Sequence, residues 1–174
     1  MSVIQMDELI KSKFIKDEAN PLKLTSQMFA EEEIKEMFKT ILSGHITYGT
    51  KVRTFEKEFA EKLNVPYAVM VNSGSSANLL AVAALINPAA NHPIKKGDNV
   101  LVPAVCWSTS VFPLMQYGLN PIYVDINIDT VNVDMLELKK KIKRYAPTAI
   151  MNVHVIGNCC EMDELLYIIK DNNI

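Results

Sequence analysis

The stretch Val69-Met70-Val71-Asn72-Ser73-Gly74-Ser75-Ser76-Ala77-Asn78, followed by the apolar run 79–86, decides the fold. A short apolar run halts at Asn72-Ser73-Gly74, and Ser75 and Ser76 open a helix that is apolar on nearly every side. Such a helix belongs between layers rather than on a surface. A junction of this kind aims unpaired backbone N–H groups, and the positive end of a helix dipole, at one point. That suits an anion such as phosphate, and the serine hydroxyls add donors. Plain N-capping also asks for serine at a helix start, so the turn alone leaves both readings open.

Downstream, strand-like runs are expected at 67–72, 99–103, 121–125 and 148–155. Helical patterns separate and follow them near 75–86, 108–117, 134–144 and 161–171. Asp134 with Glu137 three residues later predicts a capping box for the third of these. Met162, Leu165, Leu166 and Ile169 give the fourth its buried stripe. Strands alternating with helices of these lengths require crossover connections and a mainly parallel sheet, an α/β three-layer fold.

Upstream, residues 1–24 read as a polar, charged lead-in, and residues 25–174 as the folded part. Ile34, Met37, Phe38, Ile41 and Leu42 predict a one-sided helix over about 30–42, with Glu31, Glu32 and Glu33 in its first turn and Gly44 ending it. A second helix over about 51–63 is expected to bury Val52, Phe55, Phe59 and Leu63, with Glu58 and Lys62 paired on its wet face. At the far end, Asp171-Asn172-Asn173 reads as a helix terminus and Ile174 as the start of a further strand, which predicts the N-terminal part of a longer protein.

The 174 residues carry a formal net charge of −2, which gives no electrostatic footprint for nucleic acid or an anionic membrane. The basic group Lys139, Lys140, Lys141, Lys143 and Arg144 reads as a solvated helix face. Cys106, Cys159 and Cys160 do not make a disulfide framework, no apolar stretch approaches a membrane span, and the start of the chain lacks a secretory signal. A cytoplasmic setting is the expectation.

The turn at 72–78 lacks the glycine spacing of a dinucleotide fingerprint and the lysine of a Walker loop. Trp107 follows the carboxyl end of the 99–103 strand, the edge where open α/β sheets bind ligands. Its indole either stacks on a planar ring or covers the sheet end as core. Cys106 reads as a small buried hydrophobe, and Asp125 and Asp129 as turn formers. His154, before Gly157-Asn158-Cys159-Cys160, reads as a structural or site-lining histidine. Adjacent cysteines cannot easily direct both sulfurs to one tetrahedral ion, so no metal site is expected.

Five segments then occur in one order: Tyr48-Gly49-Thr50-Lys51-Val52-Arg53-Thr54-Phe55-Glu56-Lys57-Glu58-Phe59-Ala60, Asn72-Ser73-Gly74-Ser75-Ser76-Ala77-Asn78-Leu79, Gly97-Asp98-Asn99-Val100-Leu101-Val102-Pro103, Pro121-Ile122-Tyr123-Val124-Asp125, and Val153-His154-Val155-Ile156-Gly157-Asn158. As a series, covering about residues 22–174, they resemble the nucleotide-sugar aminotransferase family often called the DegT family, among the fold-type I pyridoxal-phosphate enzymes. The resemblance implies a truncated large domain of that fold. It puts the phosphate of pyridoxal 5'-phosphate on Gly74, Ser75 and Ser76, a stacking ring at Trp107, and His154 as a lesser lining candidate. It also implies a nucleotide-linked keto-sugar substrate in surface polysaccharide or lipopolysaccharide synthesis, an amino donor such as glutamate, and a homodimer.

The family's ring-nitrogen aspartate and Schiff-base lysine match no residue here, so no catalytic residue is expected in this chain and no transamination by it alone. Within the family, the serine-rich turn, the insert 87–96 and the segment 154–158 look closest to a dehydrase branch. That branch removes a sugar hydroxyl at C3 and carries histidine in place of the lysine; Cys159 stands where proline is expected in it. Transamination, as the commoner family chemistry, is the leading expectation, with C3 deoxygenation of a CDP-4-keto-6-deoxyglucose-like sugar as the alternative. A non-catalytic module for phosphate-bearing ligands is the rival outside enzymology.

Overall fold

The computed structural model describes residues 29–174; the expected lead-in over 1–24 lies outside them. The chain divides into two compact units, one ending at Met70 and the other running from Val71 to Ile174.

In the first unit, α1 spans Glu31–Leu42 and α2 spans Thr50–Leu63. Both follow the periodicity of the sequence. Gly44, at φ +69°, stops α1 by donating its N–H to the Ile41 carbonyl (3.0 Å), and Asn64 closes α2 in the left-handed conformation that asparagine tolerates. Burial departs from expectation. Among the described residues of this unit only Gly49 and Ala60 are buried, and Met37, Ile41, Phe55, Phe59 and Leu63 lie open. Two short helices cannot bury their own stripes, and the tilted Phe55–Phe59 ring pair at 5.4 Å lies one turn apart along α2 itself. The ion pair on the wet face of α2 is Lys57–Glu61 (3.8 Å) rather than Glu58–Lys62. Residues 67–70 form no strand: the Met70 N–H turns to the Glu56 carboxylate (2.9 Å), which also accepts the Tyr48 hydroxyl (2.6 Å).

The second unit is a three-stranded parallel sheet of order β2-β1-β3, with β1 at Asn99–Pro103, β2 at Asn120–Val124 and β3 at Ala149–Ile150. Its helices are α3 (Gly74–Ile86), α4 (Phe112–Gln116), α5 (Met135–Tyr145) and α6 (Met162–Asn172). The register pairs Val100 with Pro121 and with Ala149, and Leu101 with Ile122 and with Ile150. Alternation along β1 sorts the core into two layers. Leu101 packs with Val124, Leu138, Ile142, Leu165 and Ile168 under α5 and α6. Val100 and Val102 pack with Val82, Val111, Leu114 and Leu119 under α3 and α4. The expected α/β/α layering is what the unit adopts.

Three expectations need correction here. Residues 71–72 make no ladder, so the whole 67–72 run is irregular chain without a partner strand among the described residues. The 148–155 run pairs only at Ala149 and Ile150. Met151 adds one bond to the Leu101 carbonyl (2.8 Å), and the chain then bends into a 3-10 turn, Val155–Gly157, where β1 has ended and offers nothing to pair with. The helix expected over 108–117 breaks into a 3-10 turn, Ser108–Ser110, and the short α4, because Pro113 can sit in the first turn of a helix but not in its interior. Asp134 does cap α5, accepting from the Leu136 and Glu137 N–H groups (2.8 and 2.9 Å). The Glu137 carboxylate turns to Lys140 (2.6 Å) instead of completing the box.

Candidate functional site

The parallel strands send all their carboxyl ends to one edge of the second unit, and the segments leaving them make its functional face. The start of α3 lies beside the segment after β1. The Asn78 side chain donates to the Thr109 carbonyl (3.2 Å), tying the helix to the 3-10 turn. Between them opens a cleft of about 180 Å³, lined by Ser75, Ser76, Leu79, Thr109, Phe112, Pro113 and Gln116.

Ser73 is the N-cap, its hydroxyl oxygen accepting the Ser76 N–H (3.2 Å) while the hydroxyl proton goes to the Ser76 Oγ (3.2 Å). The first intrahelical bond runs from the Ala77 N–H to the Ser73 carbonyl (3.0 Å). The N–H groups of Gly74 and Ser75 precede it and point out of the helix end, and the first turn holds no acidic residue. A Cβ at Gly74 would meet nothing within 4 Å, so the approach is open. This donor set, two N–H groups outside the intrahelical ladder and serine hydroxyls in a first turn without an acidic residue, fits a phosphate.

The position of α3 differs from expectation in one respect. Only Val82 of this helix is buried, and Leu79, Leu80 and Leu85 are exposed, so its start is a surface feature of the described residues and not an enclosed one. Its apolar composition was a true signal of a helix that seeks cover, but the layers described here cover a single stripe.

Trp107 immediately precedes the 3-10 turn and is 76% exposed, which rules out the core role. It shares the segment that packs on α3, but the cleft takes Thr109 and Phe112, not Trp107, as its walls. His154 is exposed and lies after β3, with its Nδ1 accepting the Cys160 N–H (3.2 Å). That bond gives it a structural tie; the cleft beside Ser75 does not include it. Burial pushes the Cys106 thiol up, which suppresses the thiolate and agrees with a packing role. Among the described residues no three His, Cys, Asp or Glu side chains gather as a metal site, and no helix is long and apolar enough to cross a membrane. On the basic face, Lys139 pairs with Glu164 and Lys140 with Glu137, both at 2.6 Å.

Sequence reasoning missed Asn132. It is 4% exposed in the loop after β2, and its amide bridges to the loop after β3: Nδ2 donates to the Asn158 carbonyl (3.2 Å) and Oδ1 accepts the Val155 N–H (3.3 Å). An asparagine two residues before an N-capping aspartate reads as one more turn former, so no local signal marks it.

A parallel sheet with helices on both faces, and a helix start with unpaired donors beside the segment that leaves β1, define an α/β protein whose fold is that of the fold-type I pyridoxal-phosphate enzymes. Residues 27–174 match the DegT/DnrJ/EryC1/StrS aminotransferase family, and the chain belongs to it. A curated relative, the GDP-4-keto-6-deoxy-D-mannose 3-dehydratase of Yersinia pseudotuberculosis, is 42% identical over 151 residues, 87% of this chain and 38% of that protein. The GDP-perosamine synthase of Escherichia coli O157:H7 is 33% identical over 126 residues, covering 72% of this chain and 32% of that one. Among solved structures, the Escherichia coli GDP-4-keto-6-deoxy-D-mannose-3-dehydratase with bound hydrated PLP superposes with a TM-score of 0.80 at 41% identity, covering 87% of this chain and 38% of its own. The chain thus spans little more than a third of the length of these relatives.

Proposed function

We propose that the chain is the part of a pyridoxal-phosphate enzyme that holds the cofactor phosphate, in an enzyme acting on a nucleotide-linked keto sugar. The observation that carries this reading is the start of α3, where the Gly74 and Ser75 N–H groups precede the first intrahelical bond, the space beside Gly74 is open, and the first turn holds serines and no acidic residue. Gly74, Ser75 and Ser76 would hold the phosphate, with the helix dipole adding to the attraction. The exposed Trp107 offers a flat face for the ring, and His154 a polar edge beyond β3. Leu79, Phe112 and Pro113 make the apolar wall that limits water beside the phosphate. When bound, pyridoxal phosphate would supply an electron sink for bond cleavage in the substrate.

Removal of the C3 hydroxyl from a nucleotide-linked 4-keto-6-deoxy sugar is the reading that similarity favours, at 42% identity to a dehydratase against 33% to a perosamine synthase. Transamination of such a sugar, with glutamate as donor and a homodimer as the working form, is the second reading; the family match itself supports it. By the resemblance, either chemistry needs an aspartate at the ring nitrogen and, at one further position, a lysine or a histidine in its place, and in our reading no residue of this chain matches either position. The 174-residue chain is therefore expected to be inactive alone, and turnover above a cofactor-only control overturns that.

The cofactor reading is tested by titrating pyridoxal 5'-phosphate into the protein and into Trp107→Ala and Ser75→Ala/Ser76→Ala, following absorbance and thermal unfolding. Cofactor affinity falls by tenfold or more in each variant while the cofactor-free melting temperature stays near wild type. Equal loss of stability with and without cofactor sinks the assignment.

A further inference from the structure

Two loops at the carboxyl edge of the sheet are held together by side-chain amides, and each contains a β-branched residue in a conformation such residues avoid. In the loop after β2, the Val131 N–H donates to the Asn127 carbonyl and the Asn127 N–H to the Asn132 carbonyl, both at 2.8 Å, with Val131 at φ +60°. In the loop after β3, Ile156 sits at φ +55°, ψ +25° and is 93% exposed, so no packing of its own side chain holds it there. Left-handed backbone at valine and isoleucine is uncommon and persists only where the surroundings determine it.

The surroundings are the amides. Asn132 grips the two ends of the Ile156 turn, Val155 through its Oδ1 and Asn158 through its Nδ2. Asn158 returns the contact, its Nδ2 donating to the Thr130 carbonyl (3.0 Å). One donor and one acceptor are both in use, so an aspartate of the same shape would lose the Nδ2 bond and set an oxygen against the Asn158 carbonyl. The residue before this turn is His154. Its Nδ1 accepts from Cys160, whose side chain is anchored in the core and whose Sγ receives the Asn152 Nδ2 (3.0 Å). An accepting Nδ1 leaves the neutral imidazole with its proton on Nε2.

We propose that Asn132 is a positioning residue: its buried amide clamps the turn 155–158, and the clamped turn fixes His154 after β3 as an Nε2–H donor. An Nε2–H suits an oxygen acceptor such as a cofactor hydroxyl or a sugar carbonyl. That use rests on the reading of His154 as a site residue; the clamp itself does not.

The test is Asn132→Asp in the protein, read without cofactor. Imidazole nitrogen and carbon shifts of His154 are recorded at about pH 8.5, above the ordinary imidazole range, with His45 and His92 as internal references. Wild type shows His154 as the Nε2–H tautomer, whereas Asn132→Asp shows mixed tautomers and at least tenfold faster amide exchange at Val155 and Cys160, with Leu101 and Val102 unchanged. Adding Ile156→Gly, which takes the left-handed turn freely, restores the tautomer and slows the exchange. An unchanged tautomer and unchanged exchange in folded Asn132→Asp overturn the proposal, and so does failure of the glycine to rescue. If Asn132→Asp loses the Leu101 protection as well, Asn158→Ala, at an exposed position, replaces it: a partial shift of the same sign supports the clamp and no shift overturns it. Pyridoxal 5'-phosphate affinity of His154→Ala separates the two readings, since an unchanged affinity removes His154 from the site while the tautomer result still decides the role of Asn132.

Discussion

The two units of the chain solve the same problem with different success. From Val71 onward a small sheet offers two faces, each covered by helices, and β1 is buried along nearly its whole length. Before it, α1 and α2 carry apolar stripes as regular as any in the second unit, yet almost nothing in residues 29–70 is buried. The starts of the helices differ in the same sense. Asp134 caps α5 with two hydrogen bonds from its own side chain, whereas the cap residues of α1 and α2, Ala30 and Gly49, make none, and at α1 only the Glu33 carboxylate reaches back to the Ala30 N–H (2.7 Å). Amphipathic pattern alone therefore makes helices, and a second surface of matching shape is what turns a pattern into a core.

The contrast can be broken at graded points. Leu101→Ala, at a fully buried centre strand, is expected to cost about 2–5 kcal/mol in urea unfolding of the second unit. Asp134→Ala, which strips the α5 cap, is expected to cost about 1 kcal/mol by the same measurement. Phe55→Ala, 48% exposed on α2, is expected to fall below about 0.5 kcal/mol. A Phe55 cost as large as that of Leu101 would mean that the helical face is covered in solution, and the contrast would collapse.

The smallest effect is electrostatic. Hydrogen bonds and charge from Lys39 and then Lys51 lower the Glu36 carboxyl from 4.5 to about 2. A depressed carboxyl contributes its share above the ordinary carboxylate range and loses it as pH falls toward 2. Because Glu36 is solvent-exposed, helicity of the first unit is expected to change only slightly over that window, and Glu36→Gln to flatten the change. An NMR titration of the carboxyl that places its midpoint near 4.5 would show the pairings with Lys39 and Lys51 to be absent in solution. Glu56, lowered by the Tyr48 hydroxyl and then the Met70 N–H, should respond in the same direction.

Much of the architecture was legible because its signals are local. Helix periods, Asp134 as a cap, Gly44 as a stop, and the paired strands at 99–103 and 120–124 all follow from residues a few positions apart. What failed depended on neighbours. Residues 67–72 and 151–154 have strand composition, but a ladder needs a second backbone alongside, and the sequence of one segment does not report whether a partner strand exists. The serine turn was readable as an anion site by its own chemistry, while the exposure of Trp107 and of α3 followed from layers too far away in sequence to infer. The Asn132 bridge joins residues 23 and 26 positions apart, across one crossover, and left no trace in composition.

Cys159 and Cys160 are neighbours in the chain with opposite fates, one open to solvent and one inside the core beneath α6. A bulky maleimide should therefore label the first and spare the second, which places a single dye a few residues from the Ile156 bend. The molecule thus carries a built-in attachment point from which the motion of that bend can be watched by fluorescence, with no cysteine introduced and Cys106 partly shielded.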